Sequence, residues 1–323
     1  MKGPVENVWF AAVSEAQKLV VVAVAGTALV SLRDWFDDFD VARVVNFDNW
    51  VGQWKNGVPA PTVDKKPNEF AHAYCANGTA TGVYNILSNK DPGSDTMGGV
   101  LSPTLALGLR RANMIGNSPD VKSYAMPSAG PTQGNTRFVA AYTAAYPLTP
   151  NPDAPDYAKV SNGDLFNTND IVPQAWSIRP TDDQSLERMT GAIYTFARLN
   201  ESLKLYVLAA WLVGVAIYRS ASSKVFYQPI PPNAFTPADS LPPIIDLALG
   251  LAKYIVLNHT YSYWVYIGIN GFVTEFNDHV VAQPGVEEPP AASLLAVGLD
   301  IDEESCAAVD GTQVAQSKEV VAA

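Results

Sequence analysis

The chain has 323 residues, 48% hydrophobic and 16% charged, with mean hydropathy near zero, which is enough apolar material for a sizeable buried core. A formal net charge of −11 and a pI of about 4.7, with no basic cluster to offset them, repel phosphate backbones, so no nucleic-acid partner is expected. The two cysteines, Cys75 and Cys306, read as free thiols, and the three histidines, His72, His259 and His279, lack ligand spacing, so neither a metal nor a cofactor is expected.

Met1-Lys2 leads into no apolar stretch, so the expectation is no signal peptide and, weakly, a cytoplasmic chain. The longest apolar run, Leu205 to Tyr218, falls short of the roughly 20 residues of a membrane span and reads as a buried helix. Association with a membrane surface stays open.

Leu19 to Ala25 (LVVVAVA) is β-branched and apolar on both faces. That pattern predicts a strand covered on both sides in a parallel sheet, ending at Gly26-Thr27. Ser31 to Asp40 is an acidic-aromatic turn or short helix, and Asp40 to Val45 offers a second strand. Residues 51 to 68 read as loop. A helix is predicted from about Phe70 to Asn89, with Val83, Ile86 and Leu87 on its apolar face, stopped by Asp91-Pro92-Gly93. Another covers about Gly99 to Asn113, striped by Leu101, Leu105 and Leu109.

Val121 to Met126 predicts a short strand, Pro127 to Asn135 a turn-rich loop, and Thr136 the start of a helix. After the proline-rich residues 147 to 156, Ala158 to Phe166 is strand-like and Asn167-Thr-Asn-Asp170 ends it. The rest reads as helices over roughly 184–203, 205–219, 241–257 and 261–270. Residues 284–323, acidic and poor in aromatics, read as a disordered tail behind a single domain at 1–283. Strands alternating with helices in the first half imply an α/β fold, with a mostly parallel sheet flanked by helices and a helical C-terminal half.

Two residues sit where chemistry is commonly placed. Asp170 follows a strand, where a carboxylate can point into a crevice, although an Asn-Asp pair there can also serve only its own turn. His259 closes an apolar helix, where it is either a general base or a helix-end cation.

Six stretches in chain order resemble the class 3 (triacylglycerol) lipase family of the α/β-hydrolase type. Gly26-Thr27 followed by Ser31 to Asp40, with Asp34-Trp35 at its centre, is similar to the family's opening. Gly78 to Pro92 and Gly98 to Leu107 look like the helices on either side of the nucleophile. Val121 to Asn135 resembles a family strand and its AGPxxGN loop. Asn167 to Pro173 and Asn258 to Tyr263 resemble the stretches that carry the catalytic aspartate and histidine. The resemblance spans roughly residues 7 to 275. It implies a lipase or carboxylic ester hydrolase acting on acylglycerol-type lipids or small esters. Asp170 and His259 would be the triad acid and base, and Thr27 an oxyanion-hole donor alongside the backbone N–H after the nucleophile.

At the elbow the pattern departs from the family, which carries Gly-His-Ser-Leu-Gly-Gly where this chain has Gly93-Ser-Asp-Thr-Met-Gly-Gly99. In one alignment Thr96 takes the serine's place and Met97 supplies the second oxyanion donor. In the other, Asp91 to Met97 is loop, and the central strand with its serine is absent. Only five residues, Asp91 to Asp95, separate the preceding helix from Thr96, and none of them forms an apolar β-run. The alternative to a hydrolase is therefore an inactive lipase-like protein that binds lipid or a protein partner. Ser128, and Cys75 with His72 three residues before it, are weaker nucleophile candidates.

Overall fold

In the computed structural model the described residues are 9–24, 40–88, 98–116, 121–199, 203–237, 255 and 257–269. All lie in the compact unit Met1–Val280. The expected helix over 241–257 falls almost wholly outside them. Thr27, Thr96, Met97, His279, Cys306 and the 284–323 tail lie outside them as well.

Helices and strands alternate, but the sheets are small and mixed. β1 (Trp9–Ser14) and β2 (Leu19–Val24) form an antiparallel hairpin in register Ser14↔Leu19 to Trp9↔Val24. This corrects the expectation of a doubly covered parallel strand at Leu19–Ala25. A four-residue turn at 15–18 can only return the chain antiparallel. Val20 is 63% exposed and Val21, on the opposite face, 43%, so neither face is covered along most of β2.

β3 (Val44–Asn46), β4 (Tyr74–Ala76), β5 (Gly134–Asn135) and β9 (Tyr227–Gln228) make one antiparallel sheet in that order. The second predicted strand is thus confined to Val44–Asn46. The helix expected from Phe70 begins only at Asn77, because Tyr74–Ala76 is committed to ladders with β3 and β5. It ends at Leu87 with Val83 buried and Ile86 nearly so.

β6 (Thr149–Pro150) pairs antiparallel with β7 (Val160–Ser161). The predicted strand over Ala158–Phe166 is two pieces, β7 and β8 (Asp164–Asn167), separated by Asn162-Gly163. β8 runs parallel to β10 (Pro232–Phe235), the one parallel pair of named strands among the described residues. The mostly parallel sheet is therefore corrected to a mixed, mostly antiparallel set.

Val121–Met126 is not a strand. Val121, Tyr124 and Met126 are more than half exposed, and the chain meets β8 beyond them, at a bridge between Ser128 and Leu165. The helices Gly98–Arg111, Thr136–Ala145, Leu186–Leu199 and Leu203–Ser222 lie where predicted to within a few residues. Loop character over 51–68 also holds, with turns and isolated bridges.

The core gathers Phe47, Trp50, Trp54, Tyr74, Leu101 and Phe138. Two glycines make room in it. A Cβ on Gly108 would stand 2.4 Å from the Trp54 indole, and one on Gly134 would stand 2.3 Å from the Tyr74 carbonyl oxygen. Next to Gly134, the buried Asn135 caps the following helix by accepting from the Phe138 N–H. The same oxygen accepts from the Tyr74 N–H, which ties the AGPTQGN loop to β4.

Candidate active site

β8 and β10, paired in parallel, end together, and the chain beyond β8 turns at once. The Asp170 N–H donates to the Asn167 carbonyl at 3.0 Å, which folds Asp170 back over the end of the strand. This is the carboxyl edge of a parallel pair, where α/β folds place their reactive groups. Asp170 is fully buried. Its Oδ1 accepts the Val172 N–H at 3.0 Å. Its Oδ2 accepts the Tyr263 hydroxyl at 3.0 Å and faces His259 Nδ1 at 2.7 Å.

His259 stands in the middle of a π-helical turn, Leu257–Tyr261, that runs into the helix Ser262–Ile267. Wide turns of this kind are rare and concentrate at functional sites. The segment is held on the strand pair by rings: Phe235 of β10 stacks on Tyr266 at 4.0 Å and meets Tyr263 edge-on at 5.2 Å. Leu165 completes this small cluster. Nδ1 is engaged by Asp170, and only 12% of the His259 side chain is exposed, so the imidazole is held in one orientation at the end of the strand pair.

Burial shifts two groups that border the pair. Burial, then the Asp170 charge, pushes the Tyr263 phenol well up, so it remains a donor to that carboxylate. Asp164, at the start of β8, is pushed up to about 8 mainly by burial. Hydrogen bonds from Gln184 and the Gly130 N–H work against that shift, and the Asp170 charge adds to it. Asp164 is thus held close to neutral beside the pair.

The loop after Asp170 is pinned from behind. Trp176 adopts φ 83°, an unfavourable region for a bulky residue, and its carbonyl accepts the Ser220 hydroxyl at 2.6 Å from the helix Leu203–Ser222.

Of the sequence candidates, Asp170 and His259 come together across 89 residues of chain. Cys75 and His72 do not form a nucleophile pair. Cys75 is fully buried, burial drives its thiol far up, and His72 instead lies 3.9 Å from Asp48. Ser128 is exposed and joins β8 only through its main chain. Sequence reasoning does not single out Asn167, Asn258 or Tyr263. Their one signal is that they share the stretches of Asp170 and His259. No group of three or more metal-ligating side chains occurs among the described residues.

No family model matches the chain, and no curated protein matches it. Among solved structures it is similar to one titled "Crystal structure of M37 lipase", at 20% identity, covering 77% of this chain and 69% of that one, with a TM-score of 0.49. A likeness at that level settles neither fold family nor function.

Proposed function

We propose that this chain is a carboxylic ester hydrolase of the α/β-hydrolase, class 3 lipase kind, acting on acylglycerol-type lipids or small esters. The observation that carries the reading is the 2.7 Å contact between His259 Nδ1 and a fully buried Asp170. A buried carboxylate on Nδ1 fixes the tautomer in which Nε2 accepts a proton, and it stabilises the imidazolium that follows. In this reading His259 takes the proton of the attacking hydroxyl, which adds to the ester carbonyl. The oxyanion is held by donors at Thr27 and Met97, and His259 returns the proton to the departing alcohol. Water then hydrolyses the acyl-enzyme by the same route. Thr96 is the hydroxyl that the resemblance assigns to the nucleophile. As a β-branched residue, it is crowded for attack on an ester.

A second reading is favoured by a specific observation. Among the described residues β2 pairs only with β1 and is largely exposed, and Val121–Met126 forms no strand. These are the two stretches that would flank a central strand in the family pattern. A chain without that strand keeps the acid and base but lacks the serine, and becomes a protein that binds lipid or a partner without turnover.

Fluorophosphonate labelling of the purified protein with peptide mapping separates the two. The hydrolase reading expects label between Ser94 and Thr96, lost in His259→Ala. An unlabelled chain beside a labelled lipase control sinks it in favour of the binding reading.

A further inference from the structure

One residue is bonded to the chain on both sides of the acid–base pair. Asn167, fully buried at the end of β8, donates from Nδ2 to the Asn258 carbonyl and to Asn258 Oδ1, each at 3.0 Å. Its Oδ1 accepts the Asn169 N–H at 2.9 Å. Its main-chain carbonyl accepts the Asp170 N–H, and its main-chain N–H donates to the Tyr263 hydroxyl at 2.9 Å. That hydroxyl is the one that donates to Asp170 Oδ2.

The Asn258 carbonyl belongs to the peptide unit that enters His259. A π-turn is poorly held by its own ladder, so its orientation depends on anchors from outside. Asn258 is itself fully buried, which removes competing solvent and raises the worth of each bond.

We propose that Asn167 is a positioning residue: its side-chain amide clamps the His259 peptide unit to the Asp170 loop and thereby sets the Nδ1–Oδ2 geometry. The catalytic consequence rests on the hydrolase reading, but the clamp itself does not. An acid–base pair must be held within a fraction of an ångström, and a misplacement of about 1 Å can cost on the order of a hundredfold in rate. Asn167→Asp is the least tolerated change, because a carboxylate would face the Asn258 carbonyl with no proton to donate.

The test is proton NMR of the full chain labelled with ¹⁵N-histidine. The shared His259 Nδ1 proton is expected as a far-downfield line in the wild type, identified by its loss in His259→Gln. Asn167→Ala is expected to lose the line to solvent exchange while near-UV circular dichroism is kept. Asn258→Ala, which retains the main-chain carbonyl, is expected to keep it. If Asn167→Ala does not fold, Asn167→Gln displaces the same amide by one methylene and is expected to broaden the line. Ester turnover by Asn167→Ala is expected to fall about tenfold to a hundredfold, with KM within about twofold. An Asn167 variant with the line at wild-type intensity overturns the clamp. A line present in wild type and lost in Asn167→Ala, in a protein that no fluorophosphonate labels, leaves the clamp standing and removes only the hydrolase.

Discussion

Asp164 titrates in a window where most carboxylates are long ionised, because burial pushes it up to about 8 from an ordinary 3.8. Between those values the folded chain holds a proton that the unfolded chain has released. Stability is therefore fully present below about pH 4 and is lost as pH rises through about 8. Asp164→Asn keeps an oxygen for the Gln184 amide, 2.6 Å away, and removes the titration. The expected outcome is a flatter urea-denaturation profile from pH 5 to 9 than that of the wild type. Parallel profiles for the two proteins would mean that Asp164 is hydrated in solution. Asp170, six residues on, is bonded differently: the Val172 N–H and the Tyr263 hydroxyl donate to it, and His259 faces it.

At the scale of elements, the β1–β2 hairpin and the helix Gly98–Arg111 are both apolar, yet they have opposite fates. Val20 in β2 is 63% exposed, whereas Leu107 is fully buried. Val20→Thr should change stability by no more than about 0.5 kcal/mol, whereas Leu107→Ala should cost about 2 to 5 kcal/mol. Denaturant midpoints at constant m-value decide this. A Val20→Thr cost equal to that of Leu107→Ala would mean that β2 is covered after all, as its composition suggests. The run LVVVAV reads as doubly covered because β-branched residues suit any strand. Which neighbours cover the strand is not written in those residues, and a short turn at 15–18 had already forced an antiparallel hairpin. The Tyr74–Ala76 strand was illegible for a related reason: three residues carry no period, and only pairing on both sides makes them a strand.

Over the molecule as a whole, exposed apolar side chains occur on the β1–β2 hairpin, along 114–126 and on the helix Leu203–Ser222, and the helix carries a tryptophan and a tyrosine among them. Leu212, Ala216 and Ser220 face inward, whereas Val207, Trp211 and Tyr218 lie exposed at spacings of four and seven residues, along one side. No helix among the described residues is long and apolar enough to cross a membrane. An aromatic-bearing exposed face is instead suited to lying in the plane of a lipid surface, which is where an acylglycerol substrate would be met. Trp211→Ser with Tyr218→Ser is expected to weaken sedimentation with neutral phospholipid vesicles by about tenfold or more, given about 1.5–3 kcal/mol for each buried large side chain. Equal binding by wild type and variant would remove this face from the account.

Local sequence placed the helices at Gly98–Arg111, Thr136–Ala145, Leu186–Leu199 and Leu203–Ser222 to within a few residues, and at Gly98–Arg111 the signal was an apolar stripe at helical spacing, a property of neighbouring residues. The stretches around Asp170 and His259 were likewise legible, through residue order and resemblance. Their contact at 2.7 Å was decided only by tertiary structure, because it spans 89 residues and depends on the parallel pairing of β8 with β10 and on the Phe235–Tyr263–Tyr266 stack. The choice of Asn167 as the shared anchor was decided the same way. A buried amide takes whatever acceptors packing brings within 3 Å, and no local pattern can foretell which those will be.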